Sequence, residues 1–315
     1  MRRMQAPVED QRAASNMNWA LSWQDAAQLG RVTGLPTVWT NMLAGLIVAG
    51  GSLFELRSLL LFFALTFIYL GGACLYDAFD ATANSDKHPQ RPIPAGRIGR
   101  PLVFTCGFVF FALAFVPLYP VGFFMDPVDY VGVNYWPLIC GGILIAAVLL
   151  YDWRHQHNLW GPAVLGTCRS LVYLTAGLAF MVPPMPTLLV GAAMLFCYAL
   201  GVGYLTRRDG EPASATPWPF YLFLAAPLIY GLGLVAQRPH ILLFWIGFAA
   251  AIAIALWLMH RDEERDRPRA ALILASGIAL YDALLIAGTG ALGFAALALL
   301  GFVAALVLPT LLPEP

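Results

Sequence analysis

Residues 76–96 read YDAFDATANSDKHPQRPIPAG and begin at the end of an apolar run of helical length. Asp77, Asp80 and Asn84 stand at positions i, i+3 and i+7, so they share one face of a helix. Two carboxylates and an amide oxygen form a hard-oxygen ligand set, which suits Mg²⁺ that also binds substrate phosphates. The alternative is a helix-end cluster that pairs with nearby basic side chains, since charges at a membrane boundary cost little.

The segment Arg91–Gly96 (RPIPAG) favours the metal-site interpretation. Its two prolines and its glycine fix a rigid turn. Such a turn can return an arginine towards the carboxylates. The acidic helix face and the turn together therefore predict one site for a metal ion and phosphate.

Apolar sequence dominates the rest of the 315-residue chain, of which 60% is hydrophobic and 11% charged. This leaves too little polar surface to cover a water-soluble globule, and it excludes a disordered chain. The net charge of zero argues against a nucleic-acid-binding face. Ten stretches approach the length of a bilayer-spanning helix: about 35–54, 57–78, 101–120, 135–152, 161–182, 186–206, 218–236, 240–259, 269–288 and 291–312. We expect one all-α polytopic membrane domain over residues 1–315, a bundle of nine to ten transmembrane helices.

The basic residues predict the orientation of this domain. Fifteen of the 18 fall before the first span or after even-numbered spans, which places the amino terminus and those loops in the cytoplasm. Residues 16–30 are typical of a short interfacial helix. We expect residues 80–100 and 205–217 to be cytoplasmic active-site loops, and the membrane to be a bacterial inner membrane.

The motif of residues 77–96 resembles the first aspartate-rich motif of the UbiA superfamily of intramembrane prenyltransferases, usually NDxxDxxxD followed by RPI(P/A)xG. The resemblance implies a helical bundle around a central cavity that opens to the cytoplasm and to lipid. It also implies that Asp77 and Asp80 hold Mg²⁺ against an isoprenyl diphosphate, while Asn84 is a further predicted ligand because it shares their helix face. Two departures are Tyr76 in place of Asn and Asn84 in place of the last Asp, for which Asp86 can substitute as a ligand.

Further positions extend the resemblance over nearly the whole chain. Residues 35–45 resemble the family's first helix, in which an Asn faces the cavity, so Asn41 is a predicted substrate-binding residue; the alternative is an interhelical hydrogen bond. Arg154 matches a basic residue that commonly reaches the diphosphate, and Arg91 is predicted to bind it too. Tyr151 is a predicted catalytic residue, because an aromatic face can stabilise an allylic cation.

The second acidic motif of the family is largely missing. Tyr204 keeps its place and is the other predicted catalytic aromatic, whereas Gly201 and Arg208 stand where acids are usual. Arg207, Arg208 and the displaced Asp209 are predicted to bind substrate, since guanidinium groups match phosphate oxygens. Ordinary positive-inside anchoring is the alternative for the two arginines.

Two charges lie within apolar stretches, Arg169 and Asp282. Both should face the protein interior or each other. A structural pair and a catalytic role are equally compatible with the sequence. Residues 166–173 resemble a divergent, EboC-like branch of the superfamily.

The resemblance implies Mg²⁺-dependent transfer of an isoprenyl group to a small acceptor inside the membrane. The acceptor is an aromatic quinone precursor or a polar, cyclitol- or sugar-like molecule. Expected partners are thus isoprenyl diphosphate, the acceptor and membrane lipid, with no nucleic acid and no obligate protein partner. The alternatives are a transporter or flippase for a lipid-linked or amphipathic metabolite, and a terpene-cyclase-like or non-transferring homologue.

Overall fold

A computed structural model describes residues 23–81, 89–123, 132–154, 160–206, 218–261 and 265–312. Helices make up most of these ranges: α1 (Trp23–Leu29), α2 (Leu35–Val48), α3 (Leu56–Asp80), α4 (Arg100–Val121), α5 (Trp136–Arg154), α6 (Gly161–Gly177), α7 (Pro186–Leu205), α8 (Trp218–Gln237), α9 (Leu242–His260), α10 (Asp266–Thr289) and α11 (Leu292–Leu311). Short 3₁₀ turns precede α2 (Val32–Gly34) and α9 (Pro239–Ile241). Each helix from α2 to α11 falls on one predicted apolar stretch.

Eight helices in the described ranges, α3 to α5 and α7 to α11, are long and apolar enough to cross a membrane. Helices α2 and α6 are shorter, with 14 and 17 residues. The predicted class, an all-α polytopic membrane protein, is therefore confirmed. The number of crossings and the openings of a central cavity stay predictions.

Helices α2 and α10 form the centre of the bundle. In α2 every residue except Trp39 is buried, and in α10 burial is continuous from Ser276 to Ala287. Helix α2 packs against α3, α6, α10 and α11. The outer helices expose large apolar side chains such as Ile229 (70%) and Leu243 (78%). Large exposed apolar surface of this kind is suited to lipid.

Close backbone contact fixes α2 against α6. A Cβ atom built on Gly45 would lie 2.5 Å from the carbonyl oxygen of Tyr173, and one on Gly177 would lie 3.2 Å from the carbonyl oxygen of Gly45. Small residues permit this approach in membrane helices, where packing replaces the hydrophobic driving force. The contact brings the side chains of α2 and α6 into one polar network.

The turn after α3 is fastened to α1 and to the end of α3. Arg97 pairs with Asp25 of α1 at 2.8 Å and donates to the carbonyl oxygen of Gln90 at 3.0 Å. Arg100 Nε donates to the carbonyl oxygen of Ala78 at 2.7 Å, near the carboxyl end of α3. Gly96 has a φ of 71°, which glycine adopts without strain. These contacts place residues 89–99 beside the last turn of α3.

Candidate active site

Two arginines converge on the two aspartates at the end of α3. Arg91 Nη1 lies 3.1 Å from Asp80 Oδ2 and 3.8 Å from Asp77 Oδ1. Arg31 Nη2 donates to Asp77 Oδ1 at 2.9 Å. Asp77 and Asp80 share one helix face as their spacing predicts, and the turn of residues 91–96 brings Arg91 to both. We call these four side chains the carboxylate cluster.

The donor set of the carboxylate cluster fits a hard divalent cation. A recess of ≈ 10 Å³ is lined by Asp77, Asp80 and Arg91, about enough space for one water-sized occupant. Two carboxylates with water and substrate phosphate are a usual way to hold Mg²⁺. No group of three or more potential His, Cys, Asp or Glu ligands occurs in the described part of the chain. The other predicted ligands, Asn84 and Asp86, lie outside the described residues.

The backbone of Arg31 is held in an uncommon conformation. Its φ of 42° and ψ of 48° are left-handed, a region that few residues other than glycine adopt. Tyr69 donates its hydroxyl to the carbonyl oxygen of Arg31 at 2.8 Å, and the guanidinium lies 4.0 Å from the ring centroid of Tyr76. Backbone strain of this kind concentrates at functional sites. From the sequence, Arg31 was predicted only to be one of the basic residues that orient the chain in the membrane.

A cavity of ≈ 320 Å³ lies between α2, α3, α5 and α6 and is called the main cavity below. Arg31, a member of the carboxylate cluster, also lines this cavity. The rings of Tyr76 and Tyr151 stack with their centroids 6.3 Å apart, and Asp152 is 3% exposed. The polar residues of the lining are Arg31, Tyr69, Tyr76, Tyr151, Asp152, Cys168 and Arg169. The main cavity thus combines aromatic faces with acidic and basic side chains.

A polar network links the two intramembrane charges through Asn41. Asn41 Nδ2 donates to Asp282 Oδ1 and Oδ2 at 3.0 and 2.9 Å. Arg169 Nη1 donates to Asn41 Oδ1 at 3.2 Å, and the Tyr173 hydroxyl donates to Asp282. Asn41 is fully buried and is not among the residues that line the main cavity. Its predicted contact with substrate stays a prediction.

Of the remaining predicted site residues, the structure describes the side chain of Tyr204 alone. Tyr204 stacks on Phe220 of α8 with centroids 4.6 Å apart and is not part of the main-cavity lining. Arg154 is the last residue of α5, and only its backbone is described. Arg207, Arg208 and Asp209 lie outside the described residues. Their roles stay predictions.

Two charged residues of the main cavity, Arg31 and Asp152, were not predicted as site residues from the sequence. Asp152 had a usable signal, because an acid next to Tyr151 in the last turn of an apolar helix is costly unless it faces the protein. Arg31 resembles the other basic residues outside the spans. Its partner Asp77 is 46 positions away in the chain, so only the fold reveals the contact.

The chain is similar to known proteins both in sequence and in fold. Residues 38–278 match the model of the UbiA prenyltransferase family. A solved structure of digeranylgeranylglyceryl phosphate synthase, described in a study of its biosynthesis in membranes, is similar to the chain. The TM-score is 0.57 at 17% identity, over 85% of this chain and 98% of that one. No curated protein matches the sequence.

Proposed function

Because this chain belongs to the UbiA prenyltransferase family and is thereby a membrane prenyltransferase, we propose that it moves an isoprenyl group from a prenyl diphosphate to a small acceptor. One observation carries the proposal. The carboxylate cluster stands directly beside the aromatic main cavity, because its member Arg31 also lines that cavity. A prenyl diphosphate has a charged end and an apolar chain, so it needs a charged binding region directly next to an apolar and aromatic one.

The carboxylate cluster binds the donor's diphosphate in this proposal. Arg91 and Arg31 exchange their aspartate contacts for phosphate oxygens, to which guanidinium groups donate paired hydrogen bonds. Asp77 and Asp80 would hold Mg²⁺, which would neutralise part of the diphosphate's negative charge. Arg154, Arg207, Arg208 and Asp209 extend this diphosphate site, as the sequence predicts.

Charge neutralisation favours ionisation of the donor. The bond between C1 of the prenyl chain and the diphosphate oxygen breaks, and its electron pair leaves with the diphosphate. The faces of Tyr76 and Tyr151 stabilise the allylic cation, each by up to about 2 kcal/mol in a desolvated site. The acceptor's nucleophile then bonds to C1 and releases its proton.

The acceptor enters the main cavity, which is large enough for a small ring. An aromatic quinone precursor and a polar cyclitol- or sugar-like molecule are both compatible with its mixture of tyrosines and charges. The excess of basic residues on one face supports a cytoplasmic carboxylate cluster in a bacterial inner membrane. The donor therefore approaches from the cytoplasm.

The test uses the full chain in lipid nanodiscs with geranyl, farnesyl or geranylgeranyl diphosphate. Pyrophosphate release and prenylated product are measured with Mg²⁺ and with EDTA, in the presence of aromatic or polyhydroxyl acceptors. We expect Mg²⁺-dependent release with at least one donor. Failure of all three donors, or equal release in EDTA, would overturn the proposal.

A further inference from the structure

Among the described residues that line the main cavity, Asp152 is the only carboxylic acid. The other ionisable groups of that lining belong to arginines, tyrosines and a cysteine. An arginine stays protonated in proteins, and a phenol or thiol with an unperturbed pKa is neutral at pH 7. Asp152 is therefore the side chain of this lining whose ordinary ionised form can accept a proton.

The packing of α5 on α3 places Asp152 near the stacked tyrosines of the main cavity. Asp152 lies in the last turn of α5 and is 3% exposed. A Cβ atom built on Gly72 of α3 would lie 2.5 Å from a side-chain carbon of Val148 and 3.9 Å from Asp152 Oδ2, so glycine admits α5 at this level. Gly72 precedes Tyr76 by four residues, about 6 Å or one helical turn along α3. The carboxylate thus lies one turn beyond Tyr76, on the side away from Asp77.

Ionisable groups of the neighbouring elements surround Asp152. Arg31, which precedes α2, and Asp77 of α3 lie close enough to interact with it electrostatically. Cys168 of α6 is a further electrostatic neighbour, and so is Tyr151 on the same helix. The carboxylate therefore faces the space between the carboxylate cluster and α6, where the proposed function brings donor and acceptor together.

We propose that Asp152 is the catalytic base that takes the proton from the acceptor's nucleophile. This inference rests on the proposed function and assigns a residue to its last step. After the bond between C1 and the diphosphate oxygen has broken, a lone pair of the nucleophile forms the bond to C1 of the allylic cation. The nucleophile's bond to hydrogen breaks, its electrons stay on the nucleophile, and the proton goes to a carboxylate oxygen of Asp152. The neutral acid returns this proton to solvent after the product leaves.

A nucleophile that carries no proton separates this role from donor binding. The full chain in lipid nanodiscs receives Mg²⁺ and whichever of the three prenyl diphosphates releases most pyrophosphate. Glycerol, phenol or azide is added, and the prenylated products are quantified together with the prenyl alcohol formed from water. Azide needs no base, whereas the other three nucleophiles do. We expect Asp152→Asn to lower their products by about 100-fold, since a general base contributes at least that much, and to form the prenyl azide at least as fast as the parent.

Two further variants and one measurement on the parent assign the effect. Asp152→Glu keeps a carboxylate and should retain part of the transfer to glycerol, phenol and water. Asp266→Asn is the matched control and should resemble the parent with every nucleophile, because Asp266 is also a buried aspartate, 5% exposed, but does not line the main cavity. In the parent, heavy water should raise the ratio of prenyl azide to prenyl alcohol, since only the alcohol requires a proton transfer. This last measurement does not depend on the folding of any variant.

Three outcomes would overturn the inference. Asp152→Asn could transfer to glycerol, phenol and water as the parent does. Its azide product could fall as far as the others, which would assign Asp152 to donor ionisation or to packing. The product ratio of the parent could be the same in heavy water. Failure of the proposed function looks different, because the parent then shows no Mg²⁺-dependent pyrophosphate release with any of the three donors.

Discussion

Replacing Asp77 by Asn separates the function of the carboxylate cluster from its contribution to stability. Asp77 accepts a hydrogen bond from Arg31 at 2.9 Å, and the exposed fractions of the two side chains are 10% and 29%. The asparagine has the same shape and can still accept that hydrogen bond. A partly exposed ion pair contributes about 1 kcal/mol or less. We therefore expect Asp77→Asn to lower the free energy of unfolding by no more than about 1 kcal/mol.

The expected effect of the same substitution on turnover is much larger. Loss of a group that merely supports a metal ligand costs about 10–100-fold in affinity or activity. Loss of a carboxylate that itself holds Mg²⁺ should cost about 100-fold or more. The assay is Mg²⁺-dependent pyrophosphate release from a prenyl diphosphate in nanodiscs, with the thermal midpoint measured on the same preparation.

Asp266→Asn is the matched control for this prediction. Asp266 is 5% exposed at the start of α10 and lies 3.7 Å from Arg261, so it is also a buried acid beside an arginine, but unlike Asp77 it does not line the recess of the carboxylate cluster. Its turnover should stay within about twofold of the parent. Near-parental turnover of Asp77→Asn, or equal losses in the two variants, would refute the metal-site reasoning.

Three further predictions concern the metal, the diphosphate and the helix contact. Removing divalent metal with EDTA should abolish turnover and added Mg²⁺ should restore it, as measured by product formation; persistent turnover in EDTA would contradict the assigned cofactor. Arg91→Gln should weaken inorganic pyrophosphate binding by about tenfold in a calorimetric titration, because one charged hydrogen-bond donor is lost, and Arg261→Gln should bind as the parent does. Gly45→Ala should destabilise the fold by about 1–3 kcal/mol through overpacking, which a lower thermal midpoint would show. Gly142→Ala is the control and should leave the midpoint unchanged, because an added Cβ there has nothing within 4 Å. Equal midpoints of the two variants would count against direct packing of α2 on α6.

Hydropathy was sufficient to predict the membrane class, because a span needs a continuous apolar run that can be read without knowing its neighbours. Hydropathy did not predict where the central helix α2 ends. The first predicted span covers residues 35–54, whereas α2 ends at Val48. Its end is followed by Gly50, with a φ of 79°, and Gly51, two residues that interrupt a helix.

The carboxylate cluster was half predictable. Asp77 and Asp80 share a face because their separation matches the helical period, and the prolines of the following turn indicate that Arg91 returns to them. The contribution of Arg31 was not predictable, since nothing in its local sequence distinguishes it from a topology-determining arginine. Asn41 illustrates the same limit, because the family pattern predicts a cavity residue and the packed bundle turns its amide towards Asp282.

The sequence by itself determined the properties that depend on neighbours in the chain: apolar length, helical spacing, turn chemistry and the uneven distribution of basic residues. The tertiary structure decided which distant groups meet. Arg169 and Asn41 are 128 positions apart, and Asn41 and Asp282 are 241 apart. Their contacts exist because glycine lets α2 approach α6 and because α2 is buried among four helices. Such distances depend on how side chains fill the bundle interior, which no local pattern encodes.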